Sequence, residues 1–395
     1  MSPARHPGLR SELIRTQNLA TVLRFLHLDG QMSRSEIGRR TGLTRSSIGT
    51  LVTDLIALGY VEEIDPDRSG NPGRPSPIVR PLAERTVTVG VDLMVDSIGV
   101  AVVGLGGVVL RSVRRDRARE SQSPETSVGD AVALIHQALG TLDDAARVVG
   151  VGVAVPGLVA HGPQRVVLAP NLGWSDVDIV ELVKGQVPDT SVLLGNEADL
   201  GALAESRRGA AAGRRDVLYL SGEVGVGGGI IADGVLLTGR GGFAGEVGHI
   251  PVNPDGRLCG CGAVGCLETE IGEKALLRRA GRPENGGRPE IDALLRDARA
   301  GTPTVVAALE EHARWLAIGL AGLMNVLDVE IVVLGGLHGR VYPHITRTLT
   351  AELGRRVLPT QRDIPVVAAE LGDDSALIGA SELMWDSVLA ELAAG

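Results

Sequence analysis

With 395 residues, 44% of them hydrophobic and 22% charged, the chain is long enough for two or three domains and apolar enough for a full core. No apolar run reaches the length of a membrane span and no apolar signal region opens the chain, so no membrane role and a cytoplasmic location are expected. The net charge of −9 excludes a uniformly basic nucleic-acid binder but hides an asymmetry: residues 1–82 carry 11 Arg against 8 Asp and Glu, or +3, and the remainder carries −12. An acidic body would repel DNA, whereas a small basic module attached to it could still bind DNA and orient the approach.

Residues 10–28 place Leu13, Ile14, Leu19, Val22, Leu23 and Leu26 close to helical period. A short helix follows, opened by Ser33 with Glu36 at capping-box spacing, and it ends at Thr41-Gly42-Leu43. A third helix, from Thr44 to about Leu58, turns Ile48, Leu51, Val52, Leu55 and Ile56 inward. Two helices joined by a tight glycine turn read as a helix-turn-helix. The second helix of such a unit meets bases or phosphates with its N-terminal residues, which makes Thr44, Arg45, Ser46, Ser47 and Thr50 candidate DNA contacts, with Arg34 of the first helix counted beside them. Arg45 has the fork geometry to read a guanine. A strand at Tyr60–Ile64, a Gly/Pro-rich tract over 70–75 and a strand at Ile78-Val79 make a wing, with Arg74 held extended for the minor groove. A helical bundle used for protein contacts is the plainer alternative. Pro75, Pro77 and Pro81 mark an expected linker.

Beyond it, Thr86–Asp92, Ser97–Val103 and Val108–Val113 read as a three-stranded meander. A helix over 126–142 and strands at Val148–Val155 and Val192–Leu194 follow, then a helix from Asn196 to Arg208. A hairpin of Val217–Ser221 with Gly229–Ala232 precedes helices at Glu290–Arg299 and Thr304–Leu327 and a strand at Ile331–Leu334; a final strand and helix close the chain. The order argues for an α/β body of two actin-like lobes, about 83–195 and 196–372, with a C-terminal helix over 375–393 packing back on the first lobe.

All three cysteines, Cys259, Cys261 and Cys266, lie within one short loop, and His249 lies just upstream. Three thiolates and an imidazole are a closed tetrahedral Zn²⁺ set. The glycines between them permit the tight turns that wrapping needs. The alternatives are free thiols beside an unrelated histidine, or a disulfide, which cannot use all three.

Glu246–His249 and Cys259–Glu268 match, without a gap, the signature E-x-G-H followed by C-x-C-G-x-x-G-C-x-E. On these motifs and the helix-turn-helix the chain resembles the ROK family (repressors, open reading frames and kinases), and its sugar-responsive repressors over the whole length. That resemblance implies a sugar in the cleft between the lobes, with Asn171, Asn196, Glu197, Glu246, His249 and Glu268 at positions matching the family's sugar contacts. It also implies a structural zinc on His249, Cys259, Cys261 and Cys266, with His249 serving both metal and sugar.

The kinases of the family cradle phosphates with D-x-G-G-T and G-T-G-x-G turns and place a base in N-D-A. Here the corresponding runs are Asp92-Leu93-Met94-Val95-Asp96, Glu223-Val224-Gly225-Val226-Gly227 and Asn196-Glu197-Ala198. Side chains and carboxylates stand where phosphate must come close, and Glu197 reaches one methylene further than Asp. The expected function is therefore not enzymatic. It is a DNA-binding regulator, most simply a repressor, working as a homodimer or tetramer on operator DNA under a sugar or sugar-phosphate effector. An ATP-dependent sugar kinase carrying a DNA-binding domain is the alternative, and control by a protein partner remains open.

Overall fold

The computed structural model describes residues 7–65, 76–119, 122–142, 146–162 and 164–395. The chain begins with helices α1 (Pro7–Asp29), α2 (Arg34–Thr41) and α3 (Arg45–Ala57), and with strands β1 (Met32–Ser33), β2 (Val61–Ile64) and β3 (Ile78–Pro81). Ser33 caps α2 by accepting from the Glu36 N–H, and Thr44 caps α3 by accepting from the Ser47 N–H, as the hydroxyl spacing predicts. Gly42 sits at φ 70° between the two helices, a conformation that a Cβ would strain. The three strands pair antiparallel in the order β1-β3-β2.

Among the described residues no separate linker follows the wing, and Pro75 lies outside them. Ile78–Pro81 is a wing strand, and only four residues, 82–85, separate it from the first strand of the body. The module also lacks a core of its own. Leu19, Val22, Leu23, Leu26, Ile37 and Leu55 pack in one cluster with Leu105, Trp385, Val388 and Leu389 of the body. Shared burial of this kind seats the module on the body rather than tethering it.

The first lobe holds β4 (Thr86–Leu93), β5 (Ser97–Gly104), β6 (Val108–Asp116), α4 (Pro124–Leu139) and β7 (Arg147–Val155), then β8 (Leu158–His161), β9 (Gln164–Ala169), β10 (Trp174–Val177), α5 (Ile179–Lys184) and β11 (Val192–Asn196). Its main sheet has the order β11-β7-β4-β5-β6, a meander extended by parallel strands, and β8–β10 form a second small sheet. Helix α6 (Glu197–Arg208) crosses to the second lobe. That lobe contains β12 (Val217–Gly222), β13 (Val226–Ala232), β14 (Val235–Leu236), α7 (Leu267–Ile271), α8 (Glu273–Arg279), α9 (Gly287–Arg299), α10 (Pro303–Leu327), β15 (Ile331–Gly335), α11 (Gly336–Leu353) and β16 (Val366–Ala368), with sheet order β14-β13-β12-β15-β16. Helix α12 (Ser375–Ala394) closes the chain.

Helices α6 and α12 lie against each other between the sheets, α12 on β4 and β7 of the first and α6 on β12 and β13 of the second. Strands β4 and β5 are buried at every residue, as strands covered on both faces must be. Side chains at Gly90 and Gly152 would collide with the carbonyl oxygens of Leu377 and Ala380, so these glycines let the α12 backbone rest directly on the sheet. Glu205 of α6, fully buried, accepts from the N–H groups of Ala210 (2.8 Å), Glu370 (3.1 Å) and Leu371 (2.9 Å) and from Ser375 Oγ (2.8 Å). The two central helices are thereby locked at one end.

Several elements escape the periodicity reading. Strands β8–β10 are short, α7 and α8 are single turns or little more, and α11 opens on Gly336 and contains Pro343, so its pattern looks like a loop.

Candidate functional site

The DNA-facing candidates Thr44, Arg45, Ser46, Ser47 and Thr50 line the exposed start of α3. Thr44 Oγ1 lies 3.0 Å from Ser46 Oγ and 2.9 Å from Ser47 Oγ, a compact hydroxyl cluster at a helix N-terminus. Hydroxyls and N–H groups so placed suit phosphate oxygens. Arg45 has no ionic partner among the described residues, so its guanidinium is free to reach outward. Arg34 sits differently from the expectation. Both arms of its guanidinium are engaged by the Glu63 carboxylate, Nη2 at 2.6 Å, so it braces α2 against β2 instead of projecting to a ligand. Arg74 lies outside the described residues.

The metal candidates do converge. The ligand atoms of His249, Cys259, Cys261 and Cys266 all lie within 4.8 Å of one another. Cys261 Sγ is 3.6 Å from Cys266 Sγ, and Cys259 Sγ is 3.7 Å from His249 Nδ1. A tetrahedron with metal–sulfur bonds of about 2.3 Å has S···S edges of about 3.8 Å, so the group fits a tetrahedral ion with little adjustment. Backbone bonds hold the loop: Cys259 N–H to Ala263 O at 2.7 Å, Gly265 N–H to Arg257 O at 2.9 Å and Val252 N–H to Gly265 O at 2.9 Å. Gly265, at φ 72°, packs where a side chain would strike the Asn253 carbonyl. His249 Nδ1 faces the thiols and Nε2 faces Glu246, 3.7 Å away, so one ring addresses both the metal loop and the cleft.

On the cleft wall beside this loop, Glu268 Oε2 accepts from the Val226 N–H at 2.9 Å and turns toward Gly225, where it and the Asn171 amide meet. Asn196 is more occupied than the sugar reading requires. Its Oδ1 caps α6 through the N–H groups of Ala198 (2.8 Å) and Asp199 (3.2 Å), and its Nδ2 donates to Gly157 O at 2.8 Å. Capping and positioning are thus its demonstrated geometry. Asp199 is a residue that sequence reasoning passed over. Buried, with Oδ1 unpartnered among the described residues, it is pushed up to about 7 by burial and by the neighbouring Glu246. An acid in the first turn of a helix ordinarily signals only the dipole, which is why nothing marked it.

At the opposite end of the cleft the turns that correspond to phosphate cradles close on carboxyl groups. Asp92, Met94, Glu197 and Glu223 line a cavity of about 30 Å³, room for little more than a water molecule. Burial, with Asp92, Glu223 and Asp96 nearby, pushes Glu197 up to about 8; burial likewise raises Glu223 to about 7 and Asp92 to about 6. Glu197 Oε2 has no hydrogen-bond partner among the described residues, so nothing there holds it as a charged group. Arg114 reaches Asp92 at 3.3 Å, and Arg119 joins Asp96 of the first lobe (2.9 Å) to Glu273 of the second (2.6 Å), so the available cations are spent on the protein's own acids.

The far end of α6 makes a third junction. Arg208 bonds Glu382 Oε1 at 2.9 Å and the carbonyls of Leu28 and Gly106, each at 3.3 Å. Arg207 bonds Glu382 Oε2 at 3.1 Å and Asp386 at 2.6 Å. His27 of α1, almost wholly buried, completes the set: Nδ1 accepts from the Gly106 N–H at 3.1 Å, and Nε2 lies between Glu382 Oε2 at 3.1 Å and Arg208 Nη2 at 2.8 Å. Helix α6 therefore starts in the cleft and ends against the first helix of the winged module.

Comparison with known proteins agrees with this plan. The ROK family profile matches residues 88–387, and a MarR family profile matches residues 19–70. The xylose repressor of Bacillus subtilis (strain 168) is 27% identical over 378 residues, covering 95% of this chain and 97% of the repressor. Among solved structures, a ROK family transcriptional regulator described as a homologue of the E. coli MLC protein superposes with a TM-score of 0.79 at 23% identity, over 97% of this chain and all of that one. A ROK family glucokinase from Streptomyces griseus, in complex with glucose and AMPPNP, gives a TM-score of 0.63 at 32% identity, over 75% of this chain and 98% of its own. A winged helix-turn-helix precedes an actin-like body whose metal loop borders the interlobe cleft, and this chain belongs to the ROK family.

Proposed function

We propose that this protein is a transcriptional repressor whose affinity for operator DNA is set by a sugar bound between the lobes. The single observation that carries the reading is α6. Its first turn, Asn196 to Asp199, lies in the cleft, and its last two residues hold Glu382 and His27 at the base of the winged module. Closure of the lobes around a ligand would rotate α6 and α12 together and re-aim the two α3 helices of a homodimer or tetramer relative to successive half-sites. The shift in DNA affinity can be no larger than the sugar's preference for one arrangement over the other.

The division of labour follows the chain: residues 1–82 on DNA, with Thr44, Arg45, Ser46, Ser47 and Thr50 as contacts, and 83–395 as the sensor. Within the sensor, Asn171, Glu246, His249 and Glu268 receive sugar hydroxyls, each of which is both donor and acceptor. Asn196 positions the start of α6 beside this pocket, whereas Glu197, also expected as a sugar contact, faces the closed cavity at the other end of the cleft. A Zn²⁺ on His249, Cys259, Cys261 and Cys266 would be structural, with four protein ligands and no open position, and would hold this wall of the pocket. The kinase reading is disfavoured by the closed end of the cleft, where Met94, Glu197 and Glu223 line only about 30 Å³, too little for the phosphates that phosphoryl transfer must bind. No helix among the described residues is long and apolar enough to cross a membrane, in keeping with work on DNA in the cytoplasm.

The test is to select bound duplexes from a random pool, then titrate operator against the full-length protein with a panel of pentoses, hexoses and their phosphates. One class of sugar should weaken operator binding and raise the unfolding temperature. If no carbohydrate changes either quantity, sensing by sugar is wrong; sugar-dependent ADP release at ordinary enzyme rates would restore the kinase alternative.

A further inference from the structure

The cleft is electrically polarised. Its β4–β5 end is crowded with carboxyl groups, but at Asn171 and Glu268 it opens into a cavity of about 260 Å³ whose far wall carries Arg257, Lys274, Arg278 and Glu284. Lys274 and Arg278 are one turn apart on the same face of α8, and Arg257 reaches the cavity from the metal loop. Glu284 lies 3.3 Å from Arg278, while Arg257 and Lys274 have no ionic partner among the described residues. Glu268 lines the Asn171 side of the cavity, its Oε2 accepting from the Val226 N–H at 2.9 Å. In a body carrying a net charge of −12, a concave patch whose three cations outnumber its two carboxylates, Glu268 and Glu284, is a local excess of positive charge where an anion would be held.

We propose that this cavity binds the phosphate ester of a phosphorylated monosaccharide, whose ring hydroxyls lie toward Asn171 and Glu268. The inference rests on the sugar-effector reading above and narrows it to an anionic effector. A guanidinium fork and an ammonium are the side chains that recognise phosphate oxygens, the first bidentately and the second as a point charge. The volume falls just below the range of about 300–1,000 Å³ that encloses drug-sized ligands, which suits a sugar phosphate and not a nucleotide. The opposite end offers that phosphate little room and cations already paired with Asp92, Asp96 and Glu273, so a single orientation of the effector is selected.

Calorimetric titration of the full-length, metal-loaded protein with matched pairs tests this: xylose, glucose and N-acetylglucosamine, each against its phosphate esters, with inorganic phosphate as a further arm. At least one ester should bind about tenfold or more tightly than its parent sugar, and the preference should shrink as salt rises. Lys274→Met and Arg257→Met should each weaken that ester about tenfold while leaving the parent sugar's affinity unchanged, and Lys274→Arg should restore it. Parent sugars that bind as tightly as their esters, or ester affinity unmoved in both Met variants, would overturn the inference and leave the effector reading standing. Inorganic phosphate binding as tightly as the best ester would likewise overturn the link to sugar. Failure of every sugar, free or phosphorylated, would remove the effector reading and this inference together.

Discussion

Replacing Glu382 by glutamine tests whether the junction between cleft and winged module is held by charge. Glu382 is fully buried and faces Arg207, Arg208 and His27, whose side chains are 17%, 13% and 1% exposed. Glutamine keeps the shape and one acceptor but removes the charge. Arg207 retains Asp386 at 2.6 Å, whereas Arg208 is left with only carbonyl oxygens at 3.3 Å and a neutral imidazole. Breaking a buried pair by neutralising one partner costs about 3–5 kcal/mol, and the surviving Asp386 contact places this case near the lower end, ~3 kcal/mol. Urea unfolding followed by tryptophan fluorescence reads the loss, since Trp385 is buried with its ring centroid 5.0 Å from that of His27. Adding Arg208→Met removes the stranded cation and should return most of the loss. A single variant within about 1 kcal/mol of wild type, or a double variant no better than the single, would refute the charge argument.

The pH response of this junction has a definite sign. Burial opposes the charged form of Glu382, but the His27 hydrogen bond and the two arginines overrule it and hold its carboxyl well below the usual range; burial holds His27 below its ordinary value of 6.5. Both groups bind fewer protons folded than unfolded, so the stability they contribute is present at neutral pH; the His27 share is lost as pH falls below about 6.5 and the Glu382 share as it falls below about 4.5, so Glu382→Gln should flatten the acid slope only in the lower window of pH-dependent melts. Glu197 is the opposite case: its folded value of about 8 lies above its ordinary 4.5, so its contribution is present in acid and is lost as pH rises through 8. Glu197→Gln should accordingly raise the melting temperature near pH 8 and change it little near pH 5; equal effects at both would show that the carboxyl is not buried as a proton-bearing group. Cys259→Ser with Cys261→Ser should abolish stoichiometric zinc by elemental analysis, and retention of one zinc per chain would refute the ligand set. Arg45→Ala should weaken operator binding by about 1–3 kcal/mol if it reads a base, whereas an unchanged affinity would remove that role.

Local chemistry was legible because it depends on spacing. Ser33 and Thr44 announce their helices three residues ahead of the N–H groups they cap, and the metal loop carries all its ligands within eighteen residues of one another. The buried strands β4, β5 and β7 are legible as apolar runs for the same reason. Tertiary structure alone decided which distant segments meet. Glu63 captures Arg34, Asn196 spends its amide on a helix start and on Gly157, and Asp92, Glu197 and Glu223 crowd together from strand ends far apart in the chain. No spacing rule pairs His27 with Glu382 across 355 residues, and a carboxylate by itself does not reveal whether solvent, a cation or another acid will face it. Charge interactions depend on distance in space and on burial, neither of which is written in a run of residues. The sequence by itself therefore determined the helix-turn-helix, the two-lobed body and the metal loop; the polarity of the cleft and the rod that joins it to the DNA-binding module were decided by folding.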